Sequence, residues 1–278
     1  MVLFYKAQGL GNDFVIFEAP QNLLLSPGLI QRIADRKRGV GCDQVIIYNK
    51  ISATEYSVRF YNSDGSEVSS CGNGSRALGK LLFDQEKPSD QMLTFHTKGG
   101  LLSVYKQAGN LIQIILPAPK FHWNDIPQRY EDLHELPIQE GQVSPYYTIN
   151  VGNPHLVAFF ENLSLIDIRT TGLFLEHHPL FPERINVSFV EVKDKHRLKL
   201  EVWERGSGFT GACGTAACAT AVLATQHKLT HGPVIVEQSG GDLLIEWQEN
   251  RSILMTGPAV IVFRGELDFS SLGIGENE

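Results

Sequence analysis

The chain has 278 residues, and its 24 Lys and Arg residues against 31 Asp and Glu residues give a net charge of −7 with His neutral. With 42% hydrophobic and 20% charged residues, it lies outside the disordered and fibrous classes. The acidic balance argues against nucleic acid and against an anionic membrane surface as partners.

The first residues carry no targeting pattern. Met1–Glu18 has a single basic residue, Lys6, and no sustained apolar run. No later stretch approaches the roughly 20 apolar residues of a membrane helix. We therefore expect a cytoplasmic protein in a reducing compartment, where its four cysteines are thiols rather than disulfides.

The first half of the chain predicts a strand, a loop and a helix in that order. Apolar and polar residues alternate over Glu55–Tyr61, as in a half-buried strand. A loop rich in Gly and Ser leads to Cys71, after which apolar residues fall at helical spacing as far as Phe83. Gln91–Leu116 then predicts a pair of strands that turns at glycines.

The second half follows the same order. Arg197–Trp203 alternates as a strand, and a Gly-rich loop leads to Cys213. The residues after this cysteine are small and apolar nearly all round, which is typical of a buried central helix. Val234–Thr256 predicts a second pair of strands, and the Pro-rich stretch Pro117–Pro145 predicts the join between the halves.

The two halves also match in the positions of their polar residues. Gln44 and Asn186 each lie 27 residues before the cysteine of their half, and Asn62 and Glu204 each lie nine residues before it. This internal repeat predicts two similar α+β domains related by duplication. The two cysteines then occupy equivalent places, and they face each other if the domains meet across a cleft.

A pair of cysteines at two helix starts suggests acid–base chemistry. The backbone N–H groups and the positive end of the helix dipole there lower a thiol pKa from about 8.5 towards 7. The same N–H groups bind a carboxylate. Two such thiols on one substrate meet the requirement of a two-base racemase. In that mechanism a thiolate removes the Cα proton and a thiol returns a proton on the opposite face.

Two other interpretations of the cysteines find less support. A single cysteine at a helix start is more often an inert buried residue, but two at matched positions favour chemistry. A zinc site finds little support, because no C-x-x-C motif or His pair stands at metal-ligand spacing. We interpret Cys42 and Cys218 as structural.

Several segments together resemble the diaminopimelate epimerase family over essentially the whole chain. They are GLGNDF from Gly9, GCDQ from Gly41, NSDGSEVSSCGNGSRA from Asn62, GNPH from Gly152, PERIN from Pro182, ERGSG from Glu204, ACGT from Ala212 and TGPA from Thr256. The resemblance implies two pseudo-symmetric α+β domains, each with strands wrapped around a central helix. These would be residues 1–117, with about 260–278 returning to them, and residues 118–259.

The resemblance also implies an activity. It is the epimerisation of LL-diaminopimelate to meso-diaminopimelate without pyridoxal phosphate, metal or other cofactor, in lysine and peptidoglycan-precursor synthesis. The small-molecule substrate is the expected partner, and a homodimer is compatible with the family.

The residues that the resemblance assigns fall into two groups. The catalytic group contains the two thiols and the two residues that would set their protonation: Cys71, Cys213, His155 and Glu204. The substrate-binding group is Asn12, Gln44, Asn62, Gly72, Asn73, Asn153, Asn186, Glu204, Arg205, Gly214 and Thr215. Within it, the backbone after each cysteine would hold the reacting carboxylate, and Arg205 offers a rigid fork for a second carboxylate.

Two residues depart from the family pattern. Phe209 stands where the family has an acid, and Ala216 replaces a small flexible residue, so the sequence leaves the strictness for diaminopimelate open. One alternative is a racemase with the same chemistry on glutamate or proline, although Arg205 disfavours proline. Another is an amino-acid-binding protein without catalysis, against which the retention of both cysteines argues.

Overall fold

The computed structural model describes residues 1–20, 26–87, 91–129, 146–249 and 251–269. Much of the predicted join, residues 130–145, lies outside the described residues. The chain divides into two compact units, one formed by Met1–Ile114 with Gly257–Glu278 and the other by Ile115–Thr256. None of the described helices has the length and apolar character needed to cross a bilayer.

The described residues of the first unit form eight strands and two helices before the join. In chain order they are β1 (Val2–Gly9), β2 (Asn12–Glu18), α1 (Pro27–Ala34), β3 (Gln44–Lys50), β4 (Glu55–Asn62), β5 (Glu67–Val68), α2 (Gly72–Glu86), β6 (Met92–Thr97), β7 (Gly100–Lys106) and β8 (Leu111–Leu116). Strand β2 pairs in parallel with β3, and β4 pairs in parallel with β6. The pairs β1–β2, β3–β4, β4–β5 and β6–β7 are antiparallel.

The second unit has the same order of elements. They are β9 (Tyr146–Asn150), β10 (Pro154–Phe160), α3 (Ile168–Glu176), β11 (Asn186–Asp194), β12 (Arg197–Glu204), β13 (Gly208–Thr210), α4 (Gly214–Gln226), β14 (Val234–Gln238), β15 (Gly241–Glu246) and β16 (Ile253–Pro258). Strand β10 pairs in parallel with β11, and β12 in parallel with β14. The repeated topology confirms the predicted duplicated α+β fold.

The last described strand, β17 (Val260–Leu267), pairs antiparallel with β1 in the first unit. The register runs from Val2 opposite Leu267 to Gln8 opposite Val260, with one irregularity between Lys6 and Ala7. The first unit therefore contains both the first strand and the last described strand of the chain.

The predicted strand pairs that close each half are incomplete. Each segment contains a third strand, β8 in the first unit and β16 in the second. In the first unit a further turn precedes β8, where Gly109 has a φ of +66°. A positive φ of this kind costs glycine little, so the chain can reverse there a second time.

The long helix of each unit is buried, as the sequence predicts. Every residue of α4 from Ala216 to Ala224 is buried. In α2 the small residues are required by close neighbours, since a Cβ at Gly74 would lie 2.9 Å from Cδ1 of Ile46. Small residues at the start of each helix therefore let the surrounding strands approach its backbone.

Candidate active site

Cys71 is the N-cap residue of α2. Its backbone is extended, with φ −144° and ψ 113°, and its Sγ accepts a hydrogen bond of 3.3 Å from the backbone N–H of Gly74. The thiol is half-buried, and Gly72 and Asn73 form the first helical residues after it. The thiol thus lies where the helix has unpaired N–H groups, as the sequence predicts.

Asn73 faces the interior of the first unit rather than solvent. Its side chain is buried, and its Oδ1 accepts a hydrogen bond of 2.8 Å from the Arg76 guanidinium. The part of Asn73 that remains for a ligand is therefore its backbone at the helix start.

Three further predicted residues lie at strand ends of the first unit. Gln44 begins β3 directly opposite Asn62 at the end of β4, and its Nε2 donates to Oδ1 of Asn62 across 2.9 Å. Asn12 begins β2, the strand parallel to β3. Within the described residues, Oδ1 of Asn12 and Oε1 of Gln44 are buried acceptors with no hydrogen-bond partner. Such acceptors suit a ligand ammonium group.

Cys213 is the N-cap residue of α4 and is buried. Its backbone N–H donates to Oε1 of Gln238 across 2.8 Å, and its Sγ lies 3.4 Å from Oγ1 of Thr215. Gly214 and Thr215 open the helix after it. The two cysteines thus share the N-cap position, but Cys213 has no side-chain cap hydrogen bond.

The electrostatics of Cys213 differ from the sequence prediction. Burial raises the pKa of this thiol well above 9.0, and the negative charge of Glu204 raises it further. The Thr215 hydroxyl and the backbone N–H of Ala216 act in the opposite direction but do not compensate. The prediction of a lowered pKa at this helix start is therefore wrong for Cys213, because desolvation and a nearby carboxylate outweigh the helix dipole.

Glu204, the last residue of β12, is itself held by a neighbour. The hydroxyl of Thr210 in β13 donates to Oε1 of Glu204 across 2.5 Å. The carboxylate that acts on the Cys213 thiol therefore has a fixed orientation rather than a free rotamer.

His155 is fully buried and uncharged at neutral pH. Burial lowers its pKa to about 3, and the positive charge of Arg205 contributes to the shift. One ring nitrogen, assigned as Nε2, lies 3.0 Å from Oδ1 of Asn153. His155 also lies opposite Asn186 in the parallel β10–β11 ladder. It can therefore orient a neighbour or exchange a proton as a neutral imidazole, but it does not supply a positive charge.

Asn186 connects two predicted segments through its side chain. Its Nδ2 donates to the carbonyl oxygen of Pro154 across 2.8 Å, and its Oδ1 accepts from the backbone N–H of Arg205 across 3.0 Å. Arg205 is exposed, and its Nη1 donates to the carbonyl oxygen of Glu183 across 3.1 Å. Asn186 thus supports the backbone on either side of the site, a role that its sequence position does not reveal.

The two departures from the family pattern leave the surroundings of Glu204 intact. Phe209 is paired with Trp203 across β12 and β13, whereas Glu204 is paired with Gly208. Successive side chains on a strand point to opposite faces, so Phe209 faces away from Glu204. On that face the guanidinium of Arg169 in α3 lies 5.6 Å from the Phe209 ring centroid. The orientation of Phe209 therefore gives no reason to expect looser substrate selection.

Ala216 lies in the first turn of α4, three residues after Cys213, and its side chain is buried. Its backbone N–H acts to lower the pKa of the Cys213 thiol, and this effect does not depend on the side chain.

The two remaining cysteines are buried. Neither Cys42 nor Cys218 forms a disulfide. Burial raises the pKa of Cys42 to about 12, so this thiol stays protonated at neutral pH.

Several supporting residues carry no sequence signal. Thr210 lies six residues from Glu204, to which it donates, and Gln238 lies 25 residues from Cys213, whose backbone it binds. Glu176 lies 27 residues from Trp203 and 30 residues from Gly206, from which it accepts hydrogen bonds. No spacing rule connects them to a motif. Across the described ranges, no cluster of three or more His, Cys, Asp or Glu side chains is arranged to hold a metal ion.

The fold is shared with solved structures of low sequence identity. A phenazine biosynthesis protein of the PhzF family from Enterococcus faecalis matches with a TM-score of 0.72 and 17% identity, over 96% of this chain and 99% of that chain. A hydroxyproline epimerase from Agrobacterium vitis matches with a TM-score of 0.68 and 12% identity, over 96% of this chain and 90% of that chain. At these identities the likeness defines the fold class only.

Sequence comparison defines the family. The sequence profile described as diaminopimelate epimerase matches residues 4–114 and 147–262. Diaminopimelate epimerase of Erythrobacter litoralis (strain HTCC2594) is 40% identical over 271 residues, which cover 96% of this chain and 98% of that protein. The protein of the same name from Acidiphilium cryptum (strain JF-5) is also 40% identical, over 97% of each chain. This chain belongs to the diaminopimelate epimerase family.

Proposed function

We propose that this chain epimerises LL-diaminopimelate to meso-diaminopimelate, without a cofactor, in lysine and peptidoglycan-precursor biosynthesis. The observation that carries the proposal is the placement of Cys71 and Cys213 at the N-cap of equivalent helices in two repeated units of a member of this family. Each thiol is followed by helix-start N–H groups that can bind a carboxylate.

The two thiols account for both proton transfers of the epimerisation. A thiolate removes the Cα proton and becomes a thiol, and the electron pair of the broken C–H bond spreads into the substrate carboxylate. The other thiol gives its proton to the opposite face of Cα and becomes a thiolate. Because its pKa is raised, Cys213 is the proton donor in the described state, and Cys71 is then the group that must remove a proton.

The substrate carboxylate at the reacting carbon is stabilised by backbone N–H groups. Those at Gly72 and Asn73 in α2, and at Gly214 and Thr215 in α4, carry the partial positive charge of a helix start. Fixed donors of this kind stabilise negative charge that develops in the transition state without reorganisation.

Side chains supply the remaining recognition. The buried acceptors of Asn12 and Gln44 suit the substrate ammonium group, with Asn62 holding Gln44 in place. Exposed Arg205 offers its guanidinium to the second carboxylate. A substrate with two charged ends fits this set better than proline does.

Two neighbours act on the thiol chemistry in the second unit. Glu204 keeps the proton on Cys213 by its charge. His155, with Asn153 on one ring nitrogen, provides a neutral buried imidazole in the same unit. We assign both residues to the control of proton position rather than to the binding of a charged group.

Location and assembly form part of the proposal. A mechanism that depends on free thiols requires a reducing compartment, which supports a cytoplasmic protein. A homodimer is included as the assembly, since β17 leaves the apolar side chains of Val262 and Phe263 exposed. Light scattering of the purified protein tests the oligomeric state.

The decisive experiment incubates the purified protein with LL-diaminopimelate in heavy water and resolves the isomers. We expect early meso product with solvent deuterium at Cα, while the remaining substrate carries little, because different thiols serve the two faces. Dialysis against a chelator should leave the rate unchanged. Turnover of glutamate without turnover of LL-diaminopimelate would replace the proposal with the broader racemase alternative.

A further inference from the structure

Glu176, the last residue of α3, carries a buried carboxylate outside the motifs of the family. Its side chain is 3% exposed. Its Oε2 accepts a hydrogen bond of 2.7 Å from the indole Nε1–H of Trp203, and its Oε1 accepts one of 2.8 Å from the backbone N–H of Gly206. The guanidinium of Arg184 lies 3.6 Å from the same Oε1. Each carboxylate oxygen thus has a separate N–H donor.

The carboxylate is ionised despite its burial. Burial by itself would raise the pKa of Glu176, but the hydrogen bonds from Trp203 and Gly206 outweigh it, and the pKa lies below its ordinary value. Burial of a carboxylate costs free energy unless fixed hydrogen-bond donors replace the lost water. Its presence beside a loop therefore indicates that the loop backbone is held in one position.

The helix that carries Glu176 cannot shift easily against β12. A Cβ added at Gly172 would lie 2.6 Å from Cγ of Trp203, so α3 rests directly on the indole ring. The side chain of Trp203, which belongs to β12, is therefore held in place by α3. Glu176 meets the indole N–H one helical turn further along α3.

Two consecutive amides of the loop after β12 have dedicated side-chain acceptors. The N–H of Arg205 is bound by Asn186, and the N–H of Gly206 is bound by Glu176. These bonds follow immediately after Glu204, the residue whose charge acts on the Cys213 thiol. Gly206 itself has a φ of +79°, which fits the sharp turn that the two acceptors define.

We propose that Glu176 is a positioning residue for epimerisation, which sets the backbone of residues 204–208 and thereby places Glu204 and Arg205. The inference rests on the proposed epimerase function. It assigns to a buried residue of α3 control over both a group that acts on a thiol and a group that binds the second carboxylate.

The test compares variants that remove and restore the acceptor. Glu176→Met keeps the length of the side chain and removes both acceptor oxygens. Glu176→Gln combined with Trp203→Phe restores one acceptor for Gly206 and removes the indole donor that the amide nitrogen would otherwise face. Trp203→Phe alone is the reference for the double variant.

Glu191→Met is the matched control. Glu191 lies in the same unit and also accepts a backbone hydrogen bond, of 3.2 Å from Leu163, but this bond holds a different loop. The Glu191→Met substitution removes the same kind of carboxylate–backbone contact without touching residues 204–208.

Two measurements are made on each variant with LL-diaminopimelate as substrate. Misplacement of a reacting group by about 1 Å costs about 100-fold, so we expect Glu176→Met to lower kcat/KM about 100-fold, with an increase in KM contributing. Hydrogen exchange of the peptide covering residues 204–208 should quicken about tenfold, as expected for loss of a charged hydrogen bond. The double variant should return KM close to that of Trp203→Phe. Glu191→Met should change neither the kinetic constants nor the exchange of residues 204–208.

KM separates a positioning role from a structural one, because it does not depend on the fraction of protein that is folded. An unchanged KM and unchanged exchange in Glu176→Met, with only a lower melting temperature, would overturn the inference. Faster exchange at residues 204–208 in a protein that never turns over LL-diaminopimelate would refute the proposed function while supporting the anchoring of the loop by Glu176.

Discussion

The hydroxyl of Thr210 donates a 2.5 Å hydrogen bond to the carboxylate of Glu204. The two residues lie on adjacent antiparallel strands, two residue pairs apart in register, and therefore on the same face. Glu204 in turn raises the pKa of the Cys213 thiol. A residue with no acid–base chemistry of its own therefore orients the carboxylate that keeps a proton on the proposed donor.

Thr210→Val keeps the shape of this side chain and removes the hydroxyl. A hydrogen bond to a charged group contributes about 1.5–3 kcal/mol, so kcat/KM should fall about tenfold or more. Thr210→Ser retains a hydroxyl and should keep most of the activity. Steady-state kinetics of the two variants test this, and equal rates for both would remove Thr210 from the mechanism.

Glu204→Gln should shift the pH profile of the enzyme. A two-base mechanism gives a bell-shaped kcat/KM, whose alkaline limb reports loss of the proton from the donor thiol. Since the Glu204 charge raises the pKa of Cys213, its removal should move that limb to lower pH. The limits belong to the coupled pair of thiols, so the whole profile is fitted for wild type and variant. An alkaline limb at unchanged pH would contradict the assignment of Cys213 as donor.

Replacement of either proposed base should abolish epimerisation. Cys71→Ser keeps an N-cap acceptor for Gly74 but lacks the thiol, and Cys213→Ser is its counterpart in the second unit. A positioned acid or base contributes about 10²–10⁴-fold, so each loss should be at least that large, and the double variant should be little worse. Cys42→Ala and Cys218→Ala are the controls and should retain activity per folded molecule.

His155 should make stability fall in mild acid. Its pKa is about 3 in the folded protein and 6.5 as a reference for the unfolded chain, so only the unfolded chain takes up this proton below pH 6.5. The contribution of His155 is therefore fully present above pH 6.5 and is lost at about 1.4 kcal/mol per pH unit as the pH falls towards 3.

His155→Phe removes this titration and places the aromatic residue that the first repeat has at Phe14, since Phe14 pairs with Gln44 as His155 pairs with Asn186. Urea unfolding at pH 7 and pH 5 should show a shallower loss of stability in the variant than in wild type. Parallel losses in the two proteins would mean that His155 is not kept neutral by burial.

The sequence predicted the parts of the site that depend on local pattern. Cys71 and Cys213 begin helices because each follows a glycine-rich or polar loop and precedes small helix-compatible residues, and both are N-cap residues. The closing strands were underestimated by one in each half, since a turn such as that at Gly109 is too short to interrupt the apolar pattern.

Contacts between distant segments could not be predicted from the sequence. Glu176 and Trp203 meet because α3 packs on β12, and nothing in the spacing of the two residues indicates this contact. The orientation of Phe209 follows from its pairing with Trp203 in the β12–β13 ladder. The sequence alone shows only that Phe209 lies near Glu204 and Arg205 along the chain. Both the contact and the orientation depend on strand register, which is fixed only when the sheet forms.

The sequence by itself determined the family, the duplication and the position of two thiols at helix starts, because motifs, spacing and capping are local properties of the chain. Tertiary structure alone decided the protonation of Cys213. A helix start lowers a thiol pKa in water, but around Cys213 the surrounding strands remove water and bring Glu204 close, and the pKa rises. Desolvation and through-space charge depend on what packs around a group, and no run of residues encodes them directly.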